Sequence, residues 1–222
     1  MSDERNALYY FNIRDDLIRL IPPQAKSILE VGCAGGMTGK ALREKGFKEI
    51  IGIEVNEEVA QIGGSYYDKL IIGDVEKVSL PFEKEHFDCI LYGDVLEHLV
   101  DPWKVLKNHH TFLKRGGTIL CSVPNIRYYK IIRNLFFKGK WEYTEYGIMD
   151  RTHLRFFTFD SIRRMFGEAG FEIKGFIKRP SGAHWLKVLN RLLRNRLIHF
   201  LVRQYIVVAV KREKTEGCHL SM

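Results

Sequence analysis

The chain has 222 residues, enough for one domain of ordinary size with a modest appendage and too few for two full domains. With 45% hydrophobic, 12% aromatic and 28% charged residues it has the composition of a globular protein with a real core, which excludes long disorder. The formal charge of +8 is concentrated, because residues 173–212 contain ten basic residues and no acid while the remainder is close to neutral.

Met1 to Asn6 is polar and is not followed by a signal-like apolar run. No stretch approaches the roughly 18 apolar residues that span a bilayer. Cys33, Cys89, Cys121 and Cys218 are widely spaced without a C-x-x-C pair, which argues against a zinc site and a disulfide framework. A reduced, cytoplasmic setting is expected.

Short β-rich runs alternate with amphipathic helical stretches, the rhythm of a parallel sheet covered on both faces. Strands are predicted at Ser27–Gly32, Lys48–Glu54, Lys69–Ile72, Phe87–Tyr92 and Thr118–Val123. Helices fall between them at Gly36–Lys45, ended by Gly46, at Val55–Ile62, and from Pro102 to about Leu113 with Asp101 as N-cap. Pro124-Asn125 stops the fifth strand. Ile126–Trp141 is helical in pattern but mixes aromatics with basic residues and reads as an insertion. A helix capped by Thr158 runs to Ala169, and strands at Phe171–Ile177 and Tyr205–Val210 complete the set. The fold class is therefore α/β: a Rossmann-like, seven-stranded, mostly parallel sheet with helices on both faces. One domain covers 1–222, comprising an N-terminal cap segment (1–25), a lid (126–157), a basic helical insertion (180–203) and a tail (212–222).

The first chemical signal is Glu30-Val-Gly32-Cys-Ala34-Gly-Gly36, between a strand and a helix, where glycines let the backbone turn sharply and approach a ligand. A dinucleotide fingerprint would need glycine at Ala34 and Met37, so that reading fails. A tight turn without a ligand is the alternative for the loop alone. Glu54 ends the second strand, where a carboxylate can accept both hydroxyls of a ribose, and Gly73-Asp74-Val75 ends the third. The fourth ends in Gly93-Asp94-Val-Leu-Glu97-His98-Leu99. Four successive strand C-termini thus carry glycine or acid on the edge where open α/β sheets bind ligands.

This motif series resembles the class I S-adenosylmethionine-dependent methyltransferases, closely from Ser27 to Asn125. The resemblance implies S-adenosylmethionine as cofactor, with Glu30, Gly32 and Gly36 at its methionine part, and it departs from the family loop at Ala34. It further implies Glu54 on the ribose hydroxyls, Asp74 on the adenine amine, the Val75 amide on an adenine ring nitrogen, and Gly93 lining the same site. Phe87-Asp88, Asp94 to His98, Asp101-Pro102, Gly116-Gly117 and Val123-Pro-Asn125 are similar to the small-molecule branch.

A sulfonium methyl is already electrophilic, so the protein must position an acceptor and, for a hydroxyl, remove its proton. His98 and His153 are the candidate bases near neutral pH. No Asn/Asp-Pro-Pro-aromatic sequence follows the fourth strand, which in this fold favours oxygen or carbon acceptors over exocyclic amines. Asp150-Arg-Thr-His153-Leu-Arg-Phe-Phe-Thr158, preceded by Trp141, is similar to a subgroup associated with cell-surface polysaccharide and other glycan biosynthesis. It makes Trp141, Arg151, His153 and Arg155 the acceptor-site candidates and a sugar or glycan precursor the expected acceptor. A folded lid with Arg151 and Arg155 paired to local acids is the alternative. His109-His110 face different ways on a helix, and no metal site is expected.

Trp185 to Leu201 has apolar residues at helical spacing among Lys187, Arg191 and Arg194, an amphipathic basic helix that either packs on the sheet or meets an anionic membrane surface. The competing functions are an RNA methyltransferase, with nucleic acid ranked below a small molecule as partner, a quinone-type O- or C-methyltransferase, and a non-catalytic scaffold of the same fold.

Overall fold

A computed structural model describes residues 12–182 and 184–212, with the side chains of Trp185 and Lys187 left aside. Tyr9, Tyr10, Cys218 and most of the expected tail lie outside the described residues. After a short helix α1 (Asp15–Ile18), the chain alternates β1 (Ser27–Val31), α2 (Met37–Glu44), β2 (Glu49–Glu54), α3 (Glu57–Gly63), β3 (Lys69–Ile72), β4 (Phe87–Gly93), α4 (Pro102–Phe112) and β5 (Leu113–Pro124). The second part holds α5 (Tyr129–Lys138), α6 (Phe159–Glu168), β6 (Phe171–Pro180), α7 (His184–Leu192), α8 (Ile198–Leu201) and β7 (Val202–Lys211).

The strands form one sheet in the order β3-β2-β1-β4-β5-β7-β6. The first five are parallel, and β7 runs antiparallel to both β5 and β6. All of β1 is buried, as expected of a central strand covered on both faces. One core layer gathers Leu29, Ile51, Ile90 and Ile119 with Phe166 and Phe171, and the other gathers Leu17, Ile28, Leu42, Ile50 and Leu91.

The local stop and start signals operate as their chemistry requires. The Asp101 carboxylate accepts from the Lys104 amide at 3.0 Å with Pro102 at the first helical position of α4. Thr158 and Ser161 form a reciprocal capping box at the start of α6. Asn125 is a buried clamp: its side-chain amide donates at 2.7 Å to the carbonyls of His199 and Val202, tying the end of β5 to the start of β7. At the other end of the sheet, Asp88 accepts from the Lys26 and Ser27 amides and from Lys114. Although burial opposes it, that bonding lowers the Asp88 carboxyl to about 2.

Most boundaries lie within one or two residues of the sequence reading, and the larger differences fall in the second half of the chain. β5 begins at Leu113 rather than Thr118, because Leu113 pairs with Phe87 before a register shift and the left-handed Gly116 (φ 67°) carries the chain onward. β6 and β7 are each longer than their apolar runs, since two antiparallel partners satisfy each other's backbone through polar positions as well. α5 is confined to Tyr129–Lys138 by a left-handed Gly139. The basic stretch is also not one helix. Arg194 (φ 51°) and Asn195 (φ 62°) turn the chain left-handed between α7 and α8, held by the buried Asn190, which donates to Asn195 and accepts from the Leu197 amide. Part of its charge meets acids from elsewhere, Arg179 on Asp16 at 3.1 Å and Lys211 on Glu85 at 3.2 Å.

Candidate active site

The glycine loop after β1 alternates in hand: Gly32 (φ 71°), Ala34 (φ 47°) and Gly36 (φ 77°) are all left-handed. Ala34, where the family pattern has glycine, takes the same conformation at a cost of about 1 to 2 kcal/mol. Its amide is held there by the Glu54 carboxylate at 2.9 Å. A Cβ on Gly36 would lie 2.6 Å from the Cα of Gly63, so α2 and α3 meet backbone to backbone at that point.

Glu54 is only 8% exposed and accepts two further amides, Val55 at 2.9 Å and Asn56 at 3.0 Å. It therefore orders both the loop and the turn after β2. Asp74 stands at the end of β3, accepting from the Glu76 amide at 2.9 Å and paired with Lys77 at 2.9 Å. The hydrogen bond to Lys77, then the one to the Glu76 amide, holds its carboxyl below the usual range. Val75, the next residue, is half-buried.

Glu30 is buried and accepts from the Tyr67 hydroxyl at 2.8 Å. Burial raises its carboxyl to about 8 against the lowering effect of hydrogen bonds from Tyr67 and Thr38.

At the end of β4, Gly93 faces the Arg14 side chain, which approaches to 3.0 Å of where a Cβ would stand. Asp94 is left-handed (φ 60°) and anchored on all sides: Arg14 donates to it at 2.7 Å, Ser122 at 2.7 Å, and Gln204 also donates. Arg14 ties the segment before β1 to this strand end. Sequence reading missed Ser122 and Gln204, whose spacing carries no local signal.

The following turn, Leu96–His98, and the lid are stitched together. The Glu97 carbonyl accepts from the amides of Leu154 (2.8 Å) and Arg155 (2.9 Å). Asp150 accepts from the Thr152 amide and hydroxyl, which fixes the tight turn that presents His153. His98 and His153 consequently meet edge to face, ring centroids 4.8 Å apart. The Glu97 carboxylate is 1% exposed and points into the same spot, and one ligand atom from each of the three residues lies within 4.8 Å of the others. Burial, then the neighbouring His153, lowers the pKa of His98, so it is a neutral imidazole near pH 7 and able to accept a proton.

The other lid candidates are not all in this group. Arg155 donates to the Val100 carbonyl and lies over the Trp103 ring, which makes it a lid fastener. Arg151 is exposed and paired with Glu145 at 3.1 Å, turned outward. Trp141 is half-exposed and packs on Phe156, which also neighbours His153. His109 is a core residue bonded to the Tyr92 hydroxyl, its pKa lowered by burial to about 4.

Residues 5–174 match the family described as methyltransferase domain. The chain belongs to that family. It is 26% identical over 205 residues to a demethylmenaquinone methyltransferase of Listeria monocytogenes, covering 82% of this chain and 86% of the relative. It is 27% identical over 138 residues to a ubiquinone biosynthesis O-methyltransferase of Coxiella burnetii, covering 55% and 58%. Among solved structures, a SAM-dependent methyltransferase from Archaeoglobus fulgidus superposes with a TM-score of 0.65 at 16% identity, covering 95% of this chain and 92% of that one. One from Methanosarcina mazei superposes at 0.63 and 15%, covering 90% and 99%. These structures share the seven-stranded fold.

The protein is thus an S-adenosylmethionine-dependent methyltransferase, and the residues present fit that cofactor. The turn after β1 keeps bare backbone at the strand edge, since a Cβ on the left-handed Gly32 would stand 2.6 Å from Val95. Glu54 and Asp74 add carboxylates at the next two strand ends. Among the described residues, no helix is long and apolar enough to cross a membrane.

Proposed function

We propose that this methyltransferase transfers the methyl group to a hydroxyl of a small-molecule acceptor, and that the acceptor is a sugar or glycan precursor. The observation that carries the reading is the contact of His98, just after β4, with His153 of the lid segment, which also exposes Trp141, Tyr143 and Tyr146. Aromatic faces and imidazoles suit a polyhydroxylated ring.

S-adenosylmethionine supplies an electrophilic sulfonium methyl group when bound. On the cofactor side, Glu54 retains lone pairs for ribose hydroxyls, Asp74 for the adenine amine, and the Val75 amide is the donor for a ring nitrogen. On the acceptor side, His98 accepts the hydroxyl proton at Nε2 and His153 orients the acceptor. Arg155 contributes by holding the lid to Val100, and Trp141 by offering a ring face.

A phenolic or ring-carbon acceptor of the quinone type is the second reading, favoured by the names of the Listeria and Coxiella relatives. Incubating labelled S-adenosylmethionine and the protein with separated lipid-linked glycans, nucleotide sugars, quinone precursors and RNA decides between them. Label in either sugar fraction supports the proposal. Label only in quinone precursors or RNA overturns it.

We further propose peripheral contact with anionic membrane. α5 and α7 expose Phe136 (79%), Phe137 (77%) and Leu192 (75%) among Arg133, Lys138, Arg191 and Arg194. Apolar side chains on a basic face suit an anionic headgroup layer, where each Lys or Arg gains about 1 kcal/mol.

A further inference from the structure

Glu97 has one carboxylate oxygen, Oε2, that is buried and has no hydrogen-bond partner. An unpaired buried carboxylate oxygen costs more than an ordinary lost hydrogen bond, so its position calls for a ligand. The two imidazoles beside it are prepared in the same sense. His98 Nδ1 faces the Thr152 carbonyl at 3.2 Å, and His153 Nδ1 faces the Ile148 carbonyl at 3.0 Å. A carbonyl only accepts, so each Nδ1 carries the proton and each Nε2 is left with a free lone pair. Backbone carbonyls fixing the tautomer in this way are the usual outer support of metal-bound histidine.

From this geometry we infer that Glu97, His98 and His153 form a divalent-cation site. Two imidazoles and one carboxylate select a first-row transition ion such as zinc, cobalt or iron(II) over magnesium or calcium, which prefer all-oxygen shells. Ligand bonds of about 2.0 to 2.1 Å place tetrahedral ligands about 3.4 Å apart. The three atoms, within 4.8 Å of one another, reach that spacing by small rotations of side chains. Asp94 is not a fourth ligand, being engaged by Arg14, Ser122 and Gln204. Among the described residues no other His, Cys, Asp or Glu side chain joins the group, which leaves the remaining coordination positions unfilled by protein. They are available to water or to oxygens of an acceptor. The inference deepens the proposed site: a bound ion would take up the His98 Nε2 lone pair, so His98 would then act on the acceptor hydroxyl through the ion rather than as a free base, and the metal-binding test does not depend on the acceptor's class.

The test is Co2+ added to the metal-stripped full-length chain, followed by visible d–d absorption, with S-adenosylhomocysteine binding measured in parallel as a check of the fold. One Co2+ per chain with a spectrum unlike the aqueous ion, displaced by Zn2+, is expected. Glu97→Gln, His98→Gln and His153→Gln should each weaken Co2+ binding by at least about 10- to 100-fold, with S-adenosylhomocysteine still bound. Should Glu97→Gln fail to bind S-adenosylhomocysteine, the less buried His98→Gln decides. A wild-type spectrum that stays aqueous, or unchanged Co2+ affinity in His98→Gln with the cofactor site intact, overturns the inference.

Discussion

The Glu54 carboxylate accepts the amide of Ala34 at 2.9 Å, so the acid at the end of β2 also pins the loop that follows β1. Its two oxygens hold three backbone amides in all, from Ala34, Val55 and Asn56. Asp74 has no such second task on the loop: it bonds the Glu76 amide within its own turn and pairs with Lys77. Removing either should cost a hydrogen bond to a buried ligand group, about 1 to 3 kcal/mol, or roughly 5- to 150-fold in cofactor affinity. Glu54→Ala should lie at the high end, because the left-handed Ala34 also loses its support, and Asp74→Ala at the low end. Calorimetry with S-adenosylhomocysteine gives the order, and a smaller loss for Glu54→Ala would be wrong for this geometry.

Gly36 and Gly46 are both left-handed, at φ 77° and 87°, but only Gly36 is crowded, against the backbone of Gly63. Gly46→Ala should therefore cost about 1 to 2 kcal/mol from conformation alone. Gly36→Ala adds overpacking against backbone that cannot rotate away, about 1 to 3 kcal/mol more. Urea unfolding of the two variants without ligand measures the difference directly, and equal losses would contradict the packing.

Glu30 gives the fold a pH dependence of unusual sign. Its folded carboxyl is raised from 4.5 to about 8, so between those values the folded chain holds a proton that the unfolded chain has released. Stability from this group is complete below pH 4.5 and is lost as pH rises through 8. Glu30→Gln retains an acceptor for Tyr67 and has no proton to lose. It should unfold at a higher urea concentration than wild type at about pH 8.5 and lose that advantage at about pH 5. A constant difference at the two pH values would mean that Glu30 is ionised in the folded state.

The membrane contact has a salt signature. The protein should sediment with anionic but not zwitterionic liposomes, less so as salt is added, because screening shortens the reach of the basic face. Arg191→Glu with Arg194→Glu should reduce the sedimented fraction, and Phe136→Ser with Phe137→Ser should reduce it at every salt concentration. Equal recovery in the supernatant with both lipids at low salt would remove membrane contact.

Much of the framework was legible because its signals are local. β3 runs from Lys69 to Ile72 as its apolar run implies, and the Asp101-Pro102 and Thr158 caps act within one helical turn. The placement of Glu54 and Asp74 at successive strand ends was legible for the same reason. What the sequence could not display depends on the return of distant chain. The single basic helix expected over Trp185–Leu201 breaks because a buried Asn190 favours a left-handed turn at Asn195, which apolar spacing does not register. The Tyr67 hydroxyl that bonds the buried Glu30 comes from 37 residues away and has no local signal in the sequence. The convergence of His153 on Glu97 and His98 is set by backbone hydrogen bonds from Leu154 and Arg155 to the Glu97 carbonyl, invisible to side-chain pattern.

The central claim is a division of labour along one sheet edge, Glu54 holding cofactor and the His98–His153 pair serving the acceptor. It is tested most directly by measuring S-adenosylhomocysteine affinity and methyl-transfer turnover on His153→Ala, using the acceptor fraction that takes up label. Cofactor affinity should remain within about twofold of wild type while turnover falls by about 100-fold, the order of loss that a misplaced acceptor costs. Collapse of cofactor affinity, or undiminished turnover, would contradict it.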